Sequence, residues 1–177
     1  MNIIEEVSVF CQRFTGDVSR IILSNDFPLI KVVVIFGTFF SVLLGTQVSN
    51  WSEPVEVLWN YQPVVTYRAK LDGGFLVVEA DHRAGWHTYA MDNRLRAREK
   101  LAGRNSLGID TPTAIVVSDE LEMSGVWYQS PPNDYSKPKL RWFTWGFEGY
   151  AVFASAVKKV GAGSVTVEVH GQACDEN

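Results

Sequence analysis

The run Val64-Val65-Thr66-Tyr67-Arg68-Ala69-Lys70-Leu71, the triplet Asp72-Gly73-Gly74 and the run Phe75-Leu76-Val77-Val78-Glu79-Ala80-Asp81 decide how this chain is read. Both runs are strand-like: the first is β-branched and alternates apolar with polar residues, the period of a half-buried strand, and the second continues in the same character. The Asp-Gly-Gly between them supplies residues that accept positive φ, as a tight hairpin turn requires. Together they predict an antiparallel β-hairpin.

Outward from the hairpin the same rhythm recurs. Gly85-Trp86-His87-Thr88-Tyr89-Ala90 predicts a short strand with Trp86 and Thr88 on one face and Tyr89 and an exposed His87 on the other. Further strands are predicted over 113–118, 124–128, 138–145, 149–157 and 164–170, with Ser130-Pro131-Pro132-Asn133-Asp134 as a loop. Val165, Val167 and Val169 form one face of the last strand, and Gly171-Gln172-Ala173 reads as a turn after it. One stretch breaks the pattern. Residues 93–102 favour a helix, with Asp92 or Asn93 as N-cap and Gly103 as its stop. Leu95 and Leu101 give that helix only a thin apolar stripe, so it belongs on the surface. Many short strands and one brief helix predict an all-β fold, an antiparallel β-sandwich.

The bulk composition is that of a globular domain: 177 residues, 46% hydrophobic and 20% charged. Net charge is −4 with no broad basic surface, which argues against nucleic acid as a partner. All six Trp and all six Tyr fall at or after Trp51, so the part able to bury large rigid side chains lies there. The first fifty residues differ. Lys31 precedes an apolar, uncharged run over 32–45, shorter than the ~20 residues of a comfortable membrane span and suited to a secretory signal or an N-terminal anchor. The acids Glu5, Glu6, Asp17 and Asp26 ahead of it are unusual for an export leader. The division expected is therefore an N-terminal extension plus signal or anchor over 1–50, a linker over 51–54, and a β-sandwich domain over 51–177. Export places the domain in the periplasm or otherwise outside the cytoplasm, touching the membrane only through its N-terminal segment. Cys11 would be cut off or left in the reducing compartment, and so lost as a partner for Cys174.

Few residues carry chemistry. His82, His87 and His170 lack metal-ligand spacing and have no acidic or thiol cluster beside them, so neither a metal nor another cofactor is expected. Arg94, Arg96, Arg98, Lys100 and Arg104 form a basic patch balanced by Asp92 and Glu99, and read as a solvated helix face. The aromatic stretch Trp142-Phe143-Thr144-Trp145-Gly146-Phe147 reads as packing at a sheet edge. No phosphate loop, nucleophile elbow or paired-carboxylate motif is present. That leaves Cys174. It is the only cysteine after the apolar run, and the strand before it places it near one end of the sandwich. The adjacent acids Asp175 and Glu176 disfavour a thiolate, so nothing in the local sequence lowers its pKa.

Three segments in this order resemble the N-terminal extracytoplasmic domain of the thiol:disulfide interchange protein DsbD family, including its copper-sensitivity and cytochrome-biogenesis relatives. They are Gly85-Trp86-His87-Thr88-Tyr89, the stretch from Trp142 ending in Phe147-Glu148-Gly149-Tyr150, and Val169-His170-Gly171-Gln172-Ala173-Cys174. The resemblance runs from about Val55 to the end. It implies an immunoglobulin-like sandwich and a thiol–disulfide relay, a protein-disulfide reductase domain. Such a domain takes reducing equivalents from a membrane-embedded partner domain and passes them to exported thioredoxin-like proteins. Cys174 then stands for the first cysteine of the redox pair, shielded by aromatics such as Tyr89, Tyr128 or Trp145. The second cysteine is expected just beyond Asn177, with the chain a fragment cut ahead of it. The other reading of the same residues is a non-enzymatic cell-envelope β-sandwich adaptor, binding through the Arg94 patch and the Trp142 stretch.

Overall fold

The computed structural model describes residues 11–14, 20–23, 48–104, 106, 111–161 and 164–175. The apolar run over 32–45, read as signal or anchor, lies outside the described residues. Among those described, two antiparallel sheets dominate, and the fold is all-β and sandwich-like.

The Gly73-Gly74 hairpin is the centre of one sheet. Strand β4 (Gln62–Asp72) pairs with β5 (Phe75–His82) with Asp72 opposite Phe75. Gly73 and Gly74, both at positive φ (59° and 85°), form the two-residue turn whose twist matches the strands. Before it, β3 (Val55–Trp59) meets β4 through Asn60 and Tyr61, which take the same left-handed conformation without a glycine. Ahead of β3 the chain lies along β4: Ser49 and Ser52 donate backbone N–H groups to Leu71 and Ala69, and the Trp51 ring lies 4.5 Å from the Arg68 guanidinium. Beyond β5 the sheet continues to β12 (Tyr150–Lys159), which also pairs with β8 (Leu121–Met123) and β9 (Tyr128–Gln129).

The second sheet is built on β13 (Val165–Asp175), a strand longer than the sequence predicts. Gly171-Gln172-Ala173 is not a turn. The strand runs on through it for eleven residues and carries Cys174 into the sheet. One edge of β13 pairs with β7 (Ala114–Val117) and then with β6 (Trp86–Tyr89); the other pairs with β2 (Arg20–Leu23) and then with β1 (Cys11–Phe14). So the sheet includes two strands from before position 51. Beyond β6 come β11 (Trp145–Glu148) and the two-residue β10 (Asn133–Asp134).

Two of the predicted strands are not strands. Residues 124–127 form no strand, and 138–145 open as a 3-10 turn at Pro138–Leu140. Proline fixes the φ of its first residue and removes a donor, and Arg141 at φ 52° ends it, so the alternation there never becomes a ladder. The helix α1 (Asn93–Lys100) forms as predicted, but its N-cap Asp92 makes no capping bond. The Asp92 carboxylate accepts instead from Arg96 and Gln129, at 2.8 and 2.7 Å.

The core fills the space between the sheets. Phe147 of β11 meets Phe153 of β12 edge to face, and Trp59 of β3 lies 6.1 Å from Trp86 of β6. A buried polar bolt crosses the same space. His82 Nδ1 donates to the Gly149 carbonyl at 2.7 Å, which leaves Nε2 to accept from the Thr88 hydroxyl at 2.8 Å. Burial lowers the pKa of His82 and pushes the nearby Tyr67 phenol well above its ordinary range, against the opposing pull of the Gly149 and Thr88 hydrogen bonds.

Candidate functional site

The site grows from a row across the second sheet. In register, Cys11 of β1 faces Cys174 of β13, Cys174 faces His87 of β6, and His87 faces Glu148 of β11. Cys174 is in a disulfide, no free cysteine remains among the described residues, and the sequence holds only Cys11 besides it. The expectation was that Cys174 had lost Cys11 as a partner; the backbone of β1 lies along β13 and sets the Cys11 and Cys174 positions opposite each other.

Cys174 is fully buried, at 0% exposure, and its surroundings are polar. The Tyr89 hydroxyl donates to its Sγ at 3.1 Å and the Gln172 side-chain amide donates at 3.4 Å. Both donors are themselves held. The Gln172 carbonyl oxygen accepts the Thr111 backbone N–H at 2.9 Å, so the amide nitrogen is the end turned to sulfur. The Tyr89 carbonyl accepts both the N–H and the hydroxyl of the buried Thr113. Its phenol oxygen lies 3.3 Å from His87 Nε2. Because the phenol proton is given to sulfur, Nε2 is the donor in that contact, which fixes the tautomer with hydrogen on Nε2.

His87 is not exposed, as the strand alternation had it, but buried at 5% exposure. The reason is that its face of the sheet is covered: the His87 ring lies 4.6 Å from the ring of Tyr135, on the segment after β10, and nearly parallel to it. Desolvation there, helped by His82, lowers its pKa to about 4. His87 is therefore neutral at physiological pH.

Of the aromatics expected to shield Cys174, Tyr89 does so directly. Tyr128 lies in the other sheet, 63% exposed. Trp145 is buried on β11 and lines a shallow groove of about 490 Å³ with Arg96, Glu99, Lys100 and Asp134. Gln172 and Tyr135 were not singled out from sequence. Gln172 had a weak signal, sharing the strand parity of Cys174 once Gly171-Gln172-Ala173 is read as strand. Tyr135 had none, because its approach depends on the long-range backbone pairing of its segment with Thr144. The three histidines serve apart: His82 bolts the sheets, His87 backs Tyr89, and His170 sits 3.6 Å from Glu168. Compared with models of protein families, with curated proteins and with solved structures, the chain matches none.

Proposed function

We propose that this chain is an extracytoplasmic thiol–disulfide relay domain, with the Cys174 disulfide as its redox centre. It passes reducing equivalents from a membrane-embedded dithiol partner to exported thioredoxin-like proteins. The observation that carries the reading is the polar cage around a buried sulfur: two hydrogen-bond donors aimed at Cys174 Sγ, with His87 and Tyr135 stacked beside them. A disulfide serving only as a staple needs no donors, since a disulfide sulfur accepts weakly. The resemblance of the segments around Trp86, Phe147 and Cys174 to the DsbD N-terminal domain supports the same reading.

The exchange balances without a cofactor. A thiolate of the reduced partner attacks the sulfur bonded to Cys174, and the S–S electron pair leaves on Cys174 as thiolate. The mixed disulfide is then resolved by the partner's second thiol. Two electrons reach this chain, the partner becomes a disulfide, and the two sulfurs here take up two protons. The reverse sequence delivers the electrons to an oxidised acceptor.

The test is trapping. Oxidised protein is incubated with a reduced thioredoxin whose resolving cysteine is replaced by serine, and adducts are read on non-reducing gels. The wild type forms a covalent adduct and Cys174→Ser forms none. No adduct with the wild type, or equal adduct with Cys174→Ser, sinks the relay.

A second reading is favoured by one observation, the complete burial of Cys174. In that reading the disulfide is a structural clip and the chain is a binding module on the cell envelope, using the groove between α1 and β11. An oxidised wild type that resists the trapping thiol under native conditions supports this alternative.

A further inference from the structure

We propose that Tyr89 and Gln172 are catalytic hydrogen-bond donors that hold Cys174 as a stabilised thiolate when its disulfide opens, with His87 and Thr111 as the residues that position them. The proposal rests on the relay reading above and deepens it.

In the oxidised state donors and acceptor are mismatched. Tyr89 O–H and the Gln172 amide are both withdrawn from water and directed at one sulfur, 3.1 and 3.4 Å away. As part of a disulfide that sulfur is a poor acceptor. As a thiolate it is a full negative charge, and a hydrogen bond to an ionised acceptor is roughly twice as strong as a neutral one. The donors are thus matched to the state formed on reduction. They also do not need to reorganise, because Thr111 fixes the Gln172 amide and His87 Nε2–H fixes the Tyr89 phenol.

The charges that face the sulfur do not supply this effect. Asp175, next in the strand, opposes a thiolate, and Glu148 stands one strand beyond His87 in the same row. Lys137 acts on the neighbouring His87, and His87 and His82 are neutral. Arg13 stands opposite Gln172 in the β1 ladder. With the carboxylates of Asp175 and Glu148 opposing a thiolate, the directed donors decide the outcome. They also answer what the local sequence lacked: the stabilising groups come from β6, 85 residues away, and from the opposite end of a side-chain amide.

The experiment uses the full chain carrying Cys11→Ser, so that Cys174 is the single thiol. Its alkylation by iodoacetamide is followed by mass spectrometry from about pH 5 to pH 10, with near-UV circular dichroism as the check on the fold. Adding Tyr89→Phe or Gln172→Leu is expected to move the midpoint of reactivity upward by about one pH unit, a tenfold loss of thiolate near neutrality. His87→Gln moves it in the same direction by less. Tyr128→Phe, in the other sheet, leaves it unchanged. If Tyr89→Phe loses its native near-UV signal, Gln172→Leu decides. An unmoved midpoint in natively folded variants overturns the proposal, as does a Cys174 that reacts only on unfolding. Adduct trapping with an unmoved midpoint defeats the donor assignment and leaves the relay standing. A shifted midpoint without trapping defeats the relay alone.

Discussion

The ring of His87 lies against that of Tyr135, centroids 4.6 Å apart and planes 17° from parallel. This contact keeps the imidazole out of water, and that sets a pH dependence. The folded-state pKa of His87 is lowered to about 4, against 6.5 for the free side chain. Between those values the unfolded chain binds a proton that the folded chain does not, so stability is full above about pH 6.5 and falls as pH drops towards 4. His82, also lowered, acts in the same direction. The contribution of His87 is at most about 3 kcal/mol. Urea midpoints measured at pH 7 and pH 4.5 should show a clear loss in the wild type and a smaller one in His87→Gln. Parallel losses in both would show that His87 is not the titrating group.

Asn93 ties the helix to the sheet. Its side-chain oxygen accepts the Trp145 backbone N–H at 2.7 Å, and its amide nitrogen donates to the Thr144 hydroxyl at 3.0 Å, all of it buried. Asn93→Ala leaves a buried N–H without its acceptor, which costs about 2 kcal/mol. Chemical denaturation should show that loss. The exposed neighbour Arg94→Ala should change stability by less than about 0.5 kcal/mol.

Asn93 also marks where sequence reading stops. Its neighbourhood predicts a helix start, and the helix is there, because N-terminal signals are local. That its side chain serves β11 rather than the helix is a fact of tertiary packing, invisible to spacing. The same division holds elsewhere. The Gly73-Gly74 turn was legible because positive φ is written in the residue type. Asn60-Tyr61 makes a turn of the same hand, with Tyr61 98% exposed, and carried no glycine to announce it. At the site, Cys174 stood out by chemistry alone. Tyr89 was one of several candidate shields until β13 proved long enough to lie beside β6, and the Gly171-Gln172-Ala173 run concealed that length by reading as a turn.

Gly146 tests how closely β11 and β6 must approach. It sits opposite Tyr89, and a Cβ there would overlap the backbone carbonyl of Thr88. Backbone cannot swing aside as a flexible side chain does, so Gly146→Ala must push the strands apart. The expected cost is about 3 kcal/mol. Because Thr88, His87 and Tyr89 are consecutive, the same displacement should loosen the hold on Cys174. The variant should therefore show both a lower thermal midpoint and an upward shift in the pH midpoint for alkylation of the reduced thiol. A normal midpoint would mean that the strands can separate there at little cost.

The β1–β13 register makes a covalent prediction. Digestion of the unreduced protein should yield one linked peptide that joins the segment holding Cys11 to the segment holding Cys174, identified by its mass and lost on reduction. Closing so long a loop restricts the unfolded chain, and a disulfide of this kind contributes about 2–4 kcal/mol. Reduction should lower the urea midpoint accordingly, and Cys11→Ser should reproduce the reduced value. The linkage also constrains the life of the chain. It forms only if Cys11 and Cys174 reach the same oxidising compartment on one polypeptide. N-terminal sequencing of the disulfide-linked protein should then find a chain that still begins ahead of Cys11. Mature protein that starts after the apolar run over 32–45 would instead break the link, leave Cys174 to another thiol, and place β13's outer edge in need of a different strand.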